Sequence, residues 1–209
     1  PKGQEYPHYQ VWSSRGCPFV CAFCSWPAVM TGNDPKGDGG RKIRFYHRDY
    51  MLAWFTEWKE RFPAGRSFYL DGDTENLGDK HTLEICEVMR KIAMPWTAMT
   101  RIDTVKRETW KEMRDSGCRG VKVGIESGVQ RVIDEVIHKQ LDLAKAKETI
   151  RYLKEIGLAV HVTLSYGHPG ETREEMMQTR AYLEDLKRIG VDTWQESGVA
   201  HLEGTPLDE

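Results

Sequence analysis

The 209-residue sequence lacks any long apolar run, and its mean hydropathy is −0.60. That absence excludes a transmembrane helix. Neither sign of charge dominates, because the net charge is −2 and the pI is about 6.4. The composition therefore gives no indication of a nucleic-acid or membrane surface. Low-complexity stretches and close repeats are also absent, and the length suits one large domain with a real core.

Cysteine is scarce and unevenly placed. Three of the five cysteines, Cys17, Cys21 and Cys24, lie within eight residues. An odd total with such clustering is a poor disulfide framework and favours a thiolate metal site in a reducing compartment, which we expect to be the cytoplasm. No signal peptide is visible. The chain begins with Pro1 rather than Met, which favours a fragment of a longer protein and leaves a preceding targeting segment open.

Strand-like and helical segments alternate along the chain. We predict strands at residues 9–13, 67–70, 96–100, 121–125, 159–164 and within 191–199. We predict helices at residues 47–61, 79–92, 104–116, 143–156 and 171–189, and a loop at residues 31–40 (TGNDPKGDGG). Such alternation implies a parallel sheet with right-handed crossovers. Six units rather than eight predict an α/β fold of the partial, open six-stranded (β/α) barrel type.

Polar and glycine-rich motifs follow the predicted strands, at the edge where barrels carry their active sites. These motifs are Asp71-Gly72-Asp73, Arg101, Glu126-Ser127-Gly128 and the segment from Gly167 to Thr172. Each has a purely structural explanation. Glu126 and Asp71 can serve as helix N-caps, and the glycines can serve tight turns. The recurrence of polar motifs at successive strand ends favours function.

The cysteine motif is C-x3-C-x2-C, from Cys17 to Cys24. Pro18 disfavours a helical Cys17, so a loop around a metal group is the better interpretation. Three thiolates can ligate three irons of a [4Fe–4S] cubane and leave the fourth iron open. A zinc site needs a fourth ligand, for which His8 and His47 have no zinc-like spacing. Three buried structural cysteines are the remaining alternative.

This motif resembles the signature of the radical S-adenosylmethionine (radical SAM) superfamily. The resemblance implies a [4Fe–4S] cluster on Cys17, Cys21 and Cys24 that cleaves S-adenosylmethionine (SAM) to a 5′-deoxyadenosyl radical. It also implies that Phe23 lies near the adenine of SAM. Asp71-Gly72-Asp73 takes the place of the family's Gly-Gly-Glu motif, so that Asp73 would meet the methionine amino group, although the two motifs differ.

Other segments extend the resemblance over nearly the whole chain. Arg101 resembles the Arg of an Arg-x-Asp segment and would face the SAM carboxylate or the substrate. Glu126 and Ser127 lie in Gly124–Gly128, which resembles a SAM-contacting motif. Gly167 and Gly170 lie in a loop that matches the family, with His168 where relatives have an apolar residue. Cys86 and Cys118, outside the motif, are interpreted as structural.

The combined motifs look most like radical SAM cores that are fused to cobalamin-binding domains. The resemblance implies that residues 1–209 form one core domain, that a domain outside the chain binds cobalamin, and that the enzyme methylates or cyclises an unactivated carbon. Its partners would be a small-molecule substrate and an electron donor such as flavodoxin or ferredoxin, with no membrane or nucleic acid. The alternatives are a methylthiotransferase-like radical SAM enzyme and a non-catalytic zinc-binding module.

Overall fold

Eight strands form two sheets in the computed structural model, which describes residues 3–31, 42–200 and 202–208. The strands are β1 (His8–Val11), β2 (Ser14–Arg15), β3 (Arg44–Phe45), β4 (Ser67–Leu70), β5 (Trp96–Thr100), β6 (Cys118–Glu126), β7 (Ala159–Tyr166) and β8 (Thr193–Gly198). Six of them form a wholly parallel sheet of order β1-β4-β5-β6-β7-β8, while β2 and β3 pair antiparallel. In the described part of the chain the sheet does not close, so the predicted partial barrel is confirmed.

Six helices connect these strands within the described ranges. They are α1 (Trp26–Thr31), α2 (Arg48–Arg61), α3 (Asp79–Ile92), α4 (Arg107–Asp115), α5 (Leu143–Glu155) and α6 (Arg173–Ile189). A π-helical turn (Val132–Val136) precedes α5, and a 3-10 turn (Pro206–Asp208) follows β8. The ends of α6 follow from local chemistry. Thr172 and Glu175 form a capping box at its start, and Gly190 takes a φ of 105° at its end.

The sheet has two unlike faces, as β6 illustrates. Val121, Val123 and Ile125 are at most 1% exposed and belong to the apolar core. The alternating residues Lys122, Gly124 and Glu126 are half-buried and lie on the opposite face, because successive side chains of a strand point to opposite sides. Crossovers of one hand place the helices on the core side. The polar face is therefore the inner, concave face of the partial barrel.

The predicted strands all occur, and those at residues 67–70 and 96–100 have the predicted bounds. The helix predicted to start at residue 104 starts at Arg107 instead, and α1, the small β2–β3 sheet and the π-helical turn were not predicted. Residues 32–40 of the predicted loop lie outside the described residues. No helix in the described ranges has the length and apolar character needed to cross a membrane.

Candidate active site

The three motif cysteines lie on the loop between β2 and α1, which we call the cluster loop (residues 16–25). Cys17, Cys21 and Cys24 are unpaired thiols and half-buried. The Cys24 N–H donates to the Cys21 carbonyl at 2.9 Å, and the Cys17 Sγ lies 3.6 Å from Thr74 Oγ1. The cluster loop therefore presents three thiols to the carboxyl edge of the sheet, beside the loop that follows β4.

Burial sets the protonation of Cys21 and Cys24 when no metal is bound. It raises the pKa of Cys24 to about 11, and the nearby Cys21, Cys17 and Asp73 add to the shift, while the Trp26 backbone opposes it. Burial also raises the pKa of Cys21, against the positive charges of Lys139 and Arg101. Cys21 and Cys24 are therefore protonated at neutral pH until a metal displaces the protons.

In the described ranges, no three His, Cys, Asp or Glu side chains are placed to hold a single metal ion. Each cysteine of a cubane site ligates its own iron, so its three sulfur atoms need not converge on one point. The donor chemistry of the cluster loop, three thiols and no further ligand, suits such a cluster.

The β4–α3 loop supports the cluster loop through two carboxylates. Asp73 accepts the Gly16 N–H at 2.7 Å, where Gly16 takes a φ of 98° that favours glycine. Glu75 is 1% exposed and accepts the N–H of Gly72 at 2.6 Å and that of Ser13 at 3.1 Å. Burial raises the pKa of Glu75 to about 7, against these hydrogen bonds. Asp73 belongs to the predicted motif, whereas Glu75 was not predicted.

The other members of the predicted Asp71-Gly72-Asp73 motif have internal partners. Asp71 accepts a hydrogen bond from the Gln10 amide and contacts Tyr69. Gly72 leaves no space for a Cβ atom, because the Glu75 carboxylate occupies that position. The absence of a side chain at Gly72 therefore lets the Glu75 carboxylate pack against the backbone of this loop. Burial raises the pKa of Asp73, which is consistent with its position beneath the cluster loop.

Arg101 connects the cluster loop to the rim of the sheet. Its guanidinium is 3.8 Å from the centroid of the Phe19 ring, within the cluster loop. It donates to both oxygens of Asp103, at 2.7 and 2.9 Å, and to the Lys139 carbonyl. Arg101 as a whole is 5% exposed. Through Nε and Nη2, Arg101 thus connects Asp103 and Lys139 to Phe19 of the cluster loop, an arrangement suited to positioning that loop.

Glu126 ends β6 in a strained conformation. Its φ is 71°, in the left-handed region that non-glycine residues rarely adopt. Its carboxylate accepts a hydrogen bond from Lys139 Nζ at 2.9 Å, and the two side chains are 13% and 8% exposed. Lys139, which the sequence did not identify, follows the π-helical turn. The Ala22 N–H of the cluster loop donates to the Ile137 carbonyl at 2.8 Å, so this segment also supports the loop.

Ser127 is wholly buried and its hydroxyl is engaged inside the protein. It lies 3.1 Å from Thr179 Oγ1 on α6 and accepts the Val129 N–H at 3.1 Å. These contacts agree with a purely structural role for Ser127, the alternative to cofactor binding that the sequence left open.

The loop after β7 lies beside Phe23 of the cluster loop. The Phe23 ring centroid is 6.4 Å from that of His168, and His168 Nε2 lies 2.9 Å from Ser165 Oγ. Gly167 and Gly170 have positive φ values with open space around them. Glu171 accepts the Gly167 N–H at 2.7 Å. Burial lowers the pKa of His168, so this loop gives Phe23 a neutral aromatic neighbour.

Several known proteins are similar to this chain. Residues 13–183 match a family model described as the radical SAM superfamily. The chain is 28% identical over 214 residues to the uncharacterized methyltransferase PH0819 of Pyrococcus horikoshii. The alignment covers 100% of this chain and 43% of that protein. It is 30% identical over 179 residues to the anaerobic magnesium-protoporphyrin IX monomethyl ester cyclase of Cereibacter sphaeroides, covering 79% of this chain and 26% of the cyclase.

A similar fold occurs in the radical S-adenosylmethionine methyltransferase TsrM of Kitasatospora setae, whose structure contains cobalamin and a [4Fe–4S] cluster. The two superpose with a TM-score of 0.77 at 16% identity, over 96% of this chain and 38% of TsrM. The present chain therefore spans less than half of the length of these relatives.

Proposed function

Because the chain belongs to the radical SAM superfamily, whose members are enzymes that use an iron–sulfur cluster and SAM, we propose that Cys17, Cys21 and Cys24 hold one [4Fe–4S] cluster. The observation that carries this proposal is that all three thiols are unpaired and share one loop at the carboxyl edge of the sheet. Cysteine thiolates are the usual ligands of such clusters. Three of them leave one iron free for the amino and carboxylate groups of SAM.

A cluster held by these three cysteines would supply the electron for cleavage of SAM to methionine and a 5′-deoxyadenosyl radical. The protein's own residues shape and shield this site. Asp73 holds the start of the cluster loop through the Gly16 N–H. Arg101 and Lys139 place positive charge near Cys21, which favours its thiolate form. Phe23 and His168 form an aromatic wall on the side of β7, where we propose that the adenine of SAM lies.

The remaining predicted residues have assigned roles in this proposal. Glu126, held by Lys139, would contact SAM at the end of β6. Gly167 and Gly170, around which space is open, would let SAM approach the backbone. Asp71 and Gly72 would act indirectly, since both have partners within the protein.

The reaction we propose is methylation or cyclisation of an unactivated carbon in a small molecule, with cobalamin supplied by a domain outside residues 1–209. A methyltransferase and a cyclase among the relatives support it, and so does the cobalamin in TsrM. A flavodoxin or ferredoxin would supply the electron. An oxygen-sensitive cluster and unpaired cysteines favour the reducing cytoplasm.

Product analysis tests this function. The full-length protein, reconstituted without oxygen and reduced with dithionite, should convert SAM to 5′-deoxyadenosine and methionine. Cys21→Ala should abolish both products, while Cys86→Ala, which removes a buried cysteine outside the cluster loop, should retain them. Formation of S-adenosylhomocysteine alone would contradict radical cleavage and would indicate that SAM serves only as a methyl donor.

A further inference from the structure

The inner face of the sheet carries a lysine and a histidine at one level. The register places Lys122 of β6 beside His161 of β7, and His161 beside Thr193 of β8. On the other side, Met99 of β5 is the neighbour of Lys122. Side chains at matching register on one face lie close enough to interact. The two nitrogen-bearing side chains therefore form a pair inside the partial barrel.

Lys122 has no acidic partner among the residues that the structure describes. Lys139, Lys147 and Lys154, which are also partly buried, each pair with a carboxylate, whereas no hydrogen bond or ion pair within those ranges involves the Lys122 amine. The inner-face carboxylates nearby are already engaged, Asp71 with Gln10 and Glu126 with Lys139. A half-buried cation without a counter-charge is unfavourable until an anion binds.

His161 offers a second hydrogen-bonding group at the same level. Its Nδ1 lies 2.8 Å from Thr193 Oγ1. Burial, together with the positive charge of Lys122, lowers the pKa of His161 to about 4, so the ring is neutral at pH 7. If the Thr193 hydroxyl donates to Nδ1, the Nε2 carries the proton and is a donor. An anion beside Lys122 would select this tautomer.

Lys122 and His161 lie deeper in the partial barrel than the candidate active site at its rim. Lys122 precedes Glu126 by four residues on the same face, which corresponds to about 13 Å along a strand. Gly124 lies between them, and the Glu126 carboxylate and the Lys139 amine occupy the space over it. A small molecule with one end at Lys122 would therefore pass beside this ion pair and present a carbon near the rim.

We propose that Lys122 and His161 bind the anionic group of the substrate, either a carboxylate or a phosphate-type group. The proposal rests on the proposed function, because it defines the substrate class of the same barrel. The substrate would carry its negative group at the end remote from the carbon that reacts.

Ligand-observed NMR tests this site without any turnover. The probes are methylphosphonate, followed by ³¹P line broadening, and acetate, followed by its methyl proton signal, each added to the full-length protein reconstituted without oxygen. Dimethyl methylphosphonate is the neutral control probe. We expect broadening by at least one anion and none by the neutral ester, and the anion that binds more tightly identifies the type of group.

Variants of Lys122 and His161 test whether the anion binds at these two side chains. Lys122→Met should weaken anion binding at least tenfold, His161→Gln should weaken it severalfold, and Lys122→Arg should retain it. Lys145→Met is the matched control, since Lys145 is 80% exposed on α5, and it should bind as the wild type does. If Lys122→Met does not fold by circular dichroism, His161→Gln decides alone.

Unchanged anion affinity in Lys122→Met, or in the deciding His161→Gln, would overturn the proposal. Equal binding of the neutral ester, or no binding of either anion, would overturn it as well. The assay of 5′-deoxyadenosine on the same preparation separates the two proposals. Product without anion binding refutes only the substrate site, and anion binding without product refutes only the radical chemistry.

Discussion

Breaking the ion pair between Lys139 and Glu126 should be strongly destabilising, because both side chains are largely buried. Their exposed fractions are 8% and 13%, and the Nζ–Oε1 distance is 2.9 Å. Replacing Lys139 by Met would leave the Glu126 carboxylate buried without its counter-charge, at the end of β6 where φ is already 71°. Breaking a buried pair in this way costs about 3–5 kcal/mol. For a chain of this size, each kcal/mol lowers Tm by about 2–4 °C, so we expect a fall of at least about 6 °C.

Thermal unfolding of the cluster-free protein, followed by circular dichroism, measures this effect without interference from cofactor loss. Lys147→Met is the matched control, because Lys147 pairs with Asp185 at 2.6 Å but the two side chains are 27% and 44% exposed. Such exposed pairs contribute about 0–1 kcal/mol. The double variant Glu126→Gln/Lys139→Met should recover much of the loss. If Lys139→Met were no more destabilising than Lys147→Met, the burial of this pair and its supporting role would be refuted.

Three further predictions concern residues around the cluster loop. Burial raises the pKa of Glu75 from 4.5 to about 7, so the folded state holds a proton that the unfolded chain releases. Stability should therefore fall by about 3 kcal/mol as pH rises from about 4.5 to about 7, and Glu75→Gln should lack this slope in denaturant titrations; equal slopes would contradict the assignment. Arg101→Lys keeps the charge but loses the forked contact with Asp103, so a chelator should remove iron faster than from the wild type, and equal rates would contradict the positioning role. Ser127→Ala should lower unfolding free energy by about 1–2 kcal/mol with SAM affinity unchanged, whereas lost affinity at unchanged stability would make Ser127 a cofactor contact.

The strands and helices were predictable where a buried face repeats along the chain. The segments at residues 67–70, 79–92 and 96–100 have the predicted bounds because apolar residues recur there at strand or helix spacing. The β2–β3 sheet has only two residues per strand, which is too short for any periodicity. The π-helical turn at Val132–Val136 has no sequence signal in its hydrophobic pattern either.

The residues of the candidate site were predictable only when a motif contained them. The cysteines and Arg101 belong to motifs, but Glu75 and Lys139 do not. Glu75 acts through Ser13, 62 residues earlier in the chain, and Lys139 through Glu126, 13 residues earlier. Such partners depend on how the strand ends meet in space. Arg101 was expected to face SAM or the substrate, yet its contacts with Phe19, Asp103 and Lys139 became visible only in the fold.

The central claim is that the three cysteines of the cluster loop hold one [4Fe–4S] cluster with an open iron. Its most direct test is the EPR spectrum of the dithionite-reduced protein with and without SAM, together with metal analysis of the same sample. The account predicts about four irons and matching sulfide per chain, and a signal that SAM changes in the wild type and that Cys21→Ala lacks. A single zinc per chain, or a cluster signal that SAM leaves unaltered, would contradict it.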